Sequence, residues 1–232
     1  MRLDKFISAT TELTRNLAQK ALRNGEVTVN GSIIKQADYK IAAETDKVLY
    51  QKKLLTYRQF TYILLNKPNG YISATTDNKQ KTVLDLLPCK MKKLNLFPCG
   101  RLDKDTVGLI ILTNDGHSAH NALSPKKHIT KKYFFETIKS YTDDDVNAIE
   151  GGLTLNDGYV TKPCKIERVS ENSGYIYLTE GKYHEVKRLW GARNNKISML
   201  KRTEFGKICL DGLDEGKWRY MTDNEINNFT QS

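Results

Sequence analysis

Gly100-Arg101-Leu102-Asp103-Lys104-Asp105-Thr106-Val107-Gly108-Leu109-Ile110-Ile111-Leu112-Thr113 sets a dense run of charges directly against the longest apolar stretch of the chain. The apolar part, Val107 to Leu112, is interrupted by Gly108 and is rich in branched aliphatic residues, so it predicts a buried strand over Gly108–Thr113. It falls far short of the roughly 20 apolar residues that a membrane helix needs. In the charged part, an extended backbone would point Asp103 and Asp105 to the same side, the arrangement of a glycosidase carboxylate pair. Spacing alone favours a solvated turn instead, because loops are ordinarily polar and exposed.

Outward from this segment, β signals dominate. Tyr62–Leu65, Tyr133–Ile138, Cys164–Val169 and Tyr175–Thr179 are rich in β-branched and aromatic residues, and Asn-Gly or Asp-Gly pairs at 69–70, 115–116, 157–158 and 211–212 predict turns between them. Helices are fewer: His117–Leu123, Asp143–Glu150, His184–Arg193, and a last one opened by the capping box Thr222-x-x-Glu225. The fold class is therefore α+β, with a mixed, mainly antiparallel sheet. Nearer the N-terminus, Thr14 is a good cap for a helix carrying Leu17, Ala18, Ala21 and Leu22, and Gly25 stands where a left-handed C-terminal residue belongs. Val27-Thr28-Val29, Asn30-Gly31 and Ile33-Ile34 then predict a tight hairpin. Tyr50 to Arg58 carries three positive charges and no negative one between better-patterned regions. These features divide the chain into residues 1–50, a linker at 51–58, and a larger domain at 59–232.

The 232 residues are 39% hydrophobic and 28% charged, ordinary proportions that exclude a disordered chain or a fibre. A net charge of +10 is the footprint of a polyanion binder, and the positive excess is spread along the chain rather than held in a tail. The opening Met1-Arg2-Leu3-Asp4-Lys5 alternates charge where a secretory signal would turn apolar, so a cytoplasmic protein is expected. Cys89, Cys99, Cys164 and Cys209 are too scattered for a zinc ribbon or a redox pair and read as reduced, mostly packed thiols. His117 and His120 have helical spacing but no partners to complete a metal shell, so no metal is expected.

Two further clusters carry chemistry. Glu180-Gly-Lys-Tyr-His-Glu-Val-Lys-Arg-Leu-Trp190 opens a basic region with seven Lys or Arg and one Glu between Lys182 and Arg202. Val186, Leu189 and Trp190 form the apolar side of its helix, leaving Lys187 and Arg188 to reach beyond it. Composition supports equally a solvated helix face and a phosphate-contacting surface with one cation turned toward an acid. Lys131-Lys132-Tyr133-Phe134-Phe135 leads a basic entry into an aromatic strand; the period favours a core strand, while rings beside cations also suit stacking of an unpaired base.

Gly100-Arg-Leu-Asp-Lys-Asp-Thr-x-Gly-Leu, Lys131-x-Tyr133 and Glu180-Gly-Lys-Tyr-His-Glu-Val-Lys-Arg together resemble the motifs of the ribosomal small-subunit pseudouridine synthase family. The front end, Arg2-Leu-Asp-Lys-Phe with the following helix and the Val27-Thr-Val-Asn-Gly hairpin, is similar to the alpha-L (S4-like) RNA-binding domain. The resemblance implies that a uridine of ribosomal RNA, 16S small-subunit RNA first, is isomerised to pseudouridine without a cofactor. It implies Asp103 as the catalytic aspartate, Tyr133 as the ring against the target base, and Lys187 as the cation paired with Asp103. Many relatives in related families have Arg where this chain has Lys187, which keeps the charge and loses the bidentate fork. Arg101 would help fill the space the base leaves, and Leu200 would pack beneath the uracil. Lys131, Lys182, Arg188 and Arg202 would contact RNA, and Arg15, Lys20 and Arg23 would supply grip from the N-terminal domain. The expected partner is 16S RNA or an assembling small-subunit particle, met by a monomer. Alternatives are a large-subunit 23S RNA synthase, a non-catalytic ribosome-assembly RNA binder, and a hydrolytic glycosidase using Asp103 with Asp105.

Overall fold

A computed structural model describes residues 1–57 and 59–231. Two compact units emerge, Met1–Gln59 and Phe60–Ser232. In the first, α1 (Leu3–Thr10) and α2 (Arg15–Arg23) precede β1 (Val27–Val29), β2 (Ser32–Ile33), β3 (Val48–Tyr50) and β4 (Lys53–Leu55). The Thr14 hydroxyl accepts from the Leu17 amide at 3.3 Å, and Gly25 adopts φ +76° after the helix, as its sequence predicts. Leu3, Phe6 and Ile7 lie on the buried side of α1, against Ala18 and Leu22 of α2 and the inner residues Val27, Val29 and Val48. The strands run β2-β1-β3-β4.

The segment expected to be a linker is different in the structure. Lys53–Leu55 pairs antiparallel with Val48–Tyr50, through a turn in which Gln51 and Lys52 take φ +48° and +65°. No glycine marks that turn, so the run of lysines reads as a solvated connection when it is the outer strand of a hairpin. Arg58, the last residue of the expected linker, lies outside the described residues.

The larger unit contains β5 (Tyr62–Lys67), β6 (Phe97–Cys99), β7 (Val107–Thr113), α3 (Gly116–Leu123), β8 (Lys131–Thr137), α4 (Asp143–Gly151), β9 (Lys165–Arg168) and β10 (Ser173–Leu178). It continues with α5 (Glu185–Ala192), β11 (Ile197–Phe205), β12 (Ile208–Cys209), β13 (Trp218–Tyr220) and α6 (Asp223–Thr230). The sheet order is β13-β5-β7-β11-β8-β10-β9, with β6 added to β7 and β12 to β11. Pairing is antiparallel except between β7 and β11, at Val107–Lys201 and Gly108–Arg202. The Thr-x-Gly-Leu spacing has its physical cause here. Gly108 adopts φ +104°, and a Cβ on it would fall 2.2 Å from the Arg202 carbonyl oxygen, so only glycine lets the strands approach.

Alternate residues of β5 and β7 enter opposite cores, which is why Ile63–Leu65 and Leu109–Leu112 are unbroken apolar runs. Leu64, Leu109 and Ile111 pack toward α3 and α6, while Ile63, Leu65, Ile110 and Leu112 pack toward the 3-10 turns Val83–Leu86 and Cys89–Leu94. The Asp115-Gly116 pair, expected as a turn, instead opens α3: Asp115 accepts from the Ser118 amide at 3.1 Å. Aspartate satisfies a free helix amide as readily as it fills a turn. Phe135, Trp190, Val186, Leu189 and Leu200 form a further core that seats α5 on β8 and β11.

Candidate active site

The charged loop lies between β6 and β7 and is fixed from several sides. The Leu102 amide donates to Ser73 Oγ and the Ser73 hydroxyl donates back to the Leu102 carbonyl, both at 2.9 Å. The Lys67 side chain, at the end of β5, is fully buried. Its ammonium donates to the carbonyls of Thr106 (2.7 Å), Lys104 (3.1 Å) and Pro68 (3.3 Å). Burial pulls its pKa down to about 8 against the attraction of Asp105 and Asp103. A cation with no ion pair within 4.0 Å among the described residues therefore clamps the backbone that carries both aspartates.

Asp103 projects from this loop with a quarter of its side chain exposed. Lys187, from α5, donates to Asp103 Oδ2 at 3.0 Å, and Nε2 of His184 stands 3.3 Å from Asp103 Oδ1. Both carboxylate oxygens thus have a nitrogen neighbour. His184 precedes α5 at φ +51°, a left-handed conformation rare for a side chain with a Cβ, and its ring stacks on Tyr183 at 3.8 Å between centroids. Lys187 also donates to Asp105 Oδ1. Burial opposes the charge on Lys187, but the hydrogen bonds to Asp105 and Asp103 outweigh it and raise its pKa. The same Lys187 contact holds the largely exposed Asp105 below the ordinary carboxylate range. An acid so stabilised as an anion is a poor proton donor, so Asp105 is unsuited to the acid role of a glycosidase pair.

Arg101, Asp103, Thr106, Tyr133, Lys182 and Leu200 are among the residues that line one cleft. The Thr106 hydroxyl is buried there without a hydrogen-bond partner. Other expected contacts lie elsewhere. Arg188 pairs with Asp157. Arg202 is buried on β11, with Nε donating to the Leu109 carbonyl at 2.7 Å, and together with Lys131 it lines a neighbouring cavity. In the smaller unit Lys20 and Arg23 are exposed on α2, and Arg15 pairs with the buried Asp4. Burial would raise the Asp4 pKa, but hydrogen bonds from Arg2, Arg15 and Gln19 force it far below the usual range.

The profile of RNA pseudouridylate synthases matches residues 61–192, the span holding the whole Asp103 cleft except Leu200. The chain belongs to the RNA pseudouridylate synthase family. Residues 1–48 match the S4 domain. An uncharacterized RNA pseudouridine synthase of Bacillus subtilis is 38% identical, covering 97% of both chains. The ribosomal small subunit pseudouridine synthase A of Haemophilus influenzae is 37% identical over 97% of this chain and 98% of its own. A crystal structure of a pseudouridylate synthase superposes with a TM-score of 0.70 at 34% identity, covering 99% of each chain.

In this synthase Asp103, Tyr133, Arg101 and Leu200 line one cleft, and Lys187 reaches Asp103. His184, Lys67 and Thr106 carry no such expectation from sequence reasoning. His184 stands inside a quoted motif, yet its approach to Asp103 depends on a positive φ that no residue type announces. Lys67 ends an apolar strand, where a lysine reads as the first solvated residue.

Proposed function

We propose that this synthase converts a uridine of small-subunit ribosomal RNA to pseudouridine, with Asp103 as the catalytic group. The observation that carries the reading is the Asp103 carboxylate, flanked by Lys187 and His184 in a cleft walled by Tyr133 and Leu200. The reaction breaks the N1–C1′ bond, joins C5 to C1′, releases the C5 proton and protonates N1. Nothing is oxidised or added, so a carboxylate beside the sugar, acting as nucleophile or base, is the group the chemistry requires. Lys187 holds it through the 3.0 Å contact to Oδ2. Extruding the uridine from a helix costs a few kcal/mol, and stacking on Tyr133 offsets about 1 to 3 kcal/mol of this.

The names of the relatives support the small-subunit RNA as substrate. In this reading residues 1–50 grip phosphates through Arg15, Lys20 and Arg23, residues 59–232 carry the chemistry, and Arg101 enters the space the base leaves. One chain supplies the carboxylate, cation and aromatic wall, which favours a monomer, and a ribosomal RNA substrate favours work in the cytoplasm. Incubation with unmodified 16S and 23S transcripts tests the assignment. Pseudouridine should appear in the 16S RNA at unchanged mass; released uracil would mean hydrolysis, and modification of 23S RNA alone would move the substrate to the large subunit.

A further inference from the structure

Beside the Asp103 cleft lies a second, larger cavity of about 440 Å³. The two share Arg101, Tyr133, Gly181 and Lys182 as a common wall. Five cations line the second cavity, Arg101, Lys131, Lys162, Lys182 and Arg202, against one acid, Glu180. That acid is already engaged: it accepts from the Tyr159 hydroxyl at 2.5 Å and from the Lys162 amide at 2.9 Å. Among the described residues, none of the five cations makes an ion pair within 4.0 Å.

Two of these cations are tied down rather than free to swing into solvent. Arg202 is 3% exposed and held through Nε to the Leu109 carbonyl, and Lys131 donates to the Ile129 carbonyl at 3.1 Å. Both of those acceptors are neutral. Burial, and then the charge of Arg202, push the Lys131 pKa down against the attraction of Glu185 and Glu180. An anion entering between them would relieve both effects. Leu123, Pro125 and Tyr159 add apolar and aromatic wall to the same cavity. A site with fixed cations on one side and a ring and aliphatic groups on the other suits a phosphate and the base attached to it.

We propose that this cavity is a second nucleotide pocket, which takes the phosphodiester and base adjoining the target uridine in the RNA chain. The phosphodiester sits against Lys131 and Arg202, the base against Leu123, Pro125 and Tyr159, and Arg101 with Tyr133 divides the two nucleotides. The inference rests on the isomerase reading for the neighbour's identity, but not for the anion site itself. It gives the synthase a means of selecting sequence context beside the uridine.

Ethylation interference on small-subunit ribosomal RNA transcribed in vitro tests it, whichever uridine is the target. Randomly ethylated RNA is partitioned into bound and free fractions with the wild-type chain and with Lys131→Gln, and the isomerised uridine is mapped on the same RNA. At least one phosphate should exclude RNA from the wild-type complex fivefold or more when ethylated, and less than twofold from the Lys131→Gln complex. It should lie within one linkage of the isomerised uridine. Identical interference maps for the two proteins, or a Lys131-dependent phosphate remote from that uridine, overturn the proposal. A Lys131-dependent phosphate on RNA that is not isomerised would leave the anion site standing and remove the isomerase reading. Should Lys131→Gln fail to fold by circular dichroism, Lys162→Gln on the exposed rim carries the same comparison.

Discussion

Lys187 reaches two carboxylates at once, and the exposure of those carboxylates separates their roles: Asp105 is two-thirds open to solvent while Asp103 faces the cleft. Replacing Lys187 with Met should lower turnover at pH 7 about a hundredfold or more, the scale of losing a preorganised charge partner. RNA affinity, measured by filter binding, should change only a few-fold, and wild-type turnover would dismiss the pairing. Tyr133→Phe keeps the ring and removes the hydroxyl; full activity in that variant would assign the residue to stacking alone. Lys67→Met leaves carbonyls of the aspartate loop without their donor and should cost about 1 to 3 kcal/mol in denaturant unfolding. Asp103 and Lys187 are 84 residues apart in sequence, and only the family motifs relate them before the fold is known. The Lys67 clamp is visible in no motif or period, because it depends on where the backbone carbonyls of another segment turn.

At the scale of elements, the seam between β7 and β11 is the tightest constraint. Gly108→Ala would combine a strained positive φ with a clash against the Arg202 backbone, and should destabilise the fold by about 3 kcal/mol in chemical denaturation. β11 itself was hidden from sequence reasoning. Its Lys201-Arg202 centre reads as part of a basic surface, yet Arg202 is buried. By contrast α2, the first hairpin, β7 and the Thr222-capped α6 were legible because cap, turn and apolar period agree. A pH dependence belongs to the segment that joins β10 to α5. Burial, reinforced by Glu180, raises the Glu185 pKa from 4.5 to about 8, so the folded chain binds more protons than the unfolded chain between those values. Stability from this group is complete below pH 4.5 and drains away as pH rises through 8. Glu180 shifts the other way, burial being outweighed by hydrogen bonds that include one with Glu185, so its contribution falls on the acid side of 4.5. Thermal melts from pH 5 to 8 should therefore fall more steeply in the wild type than in Glu185→Gln; parallel curves would mean that Glu185 is already ionised in the folded state.

The whole molecule joins an S4 domain to a catalytic unit, and its +10 charge is carried by both. Lys20→Gln with Arg23→Gln should weaken RNA binding and make the slope of log affinity against log salt shallower by about 1 to 2, since each lost phosphate contact is worth about 0.7 to 0.9. An unchanged slope would place these residues away from the RNA. Composition was enough to indicate a polyanion partner; the choice of uridine was not legible, because it resides in how the RNA meets the cleft. The central claim is that Asp103 does the chemistry, and pseudouridine mapping across ribosomal RNA from cells lacking this chain, complemented with either wild type or Asp103→Asn, tests it most directly. One small-subunit uridine should stay unmodified in the deletion and in the Asp103→Asn strain and be converted with wild type, whereas its restoration by Asp103→Asn would contradict the account.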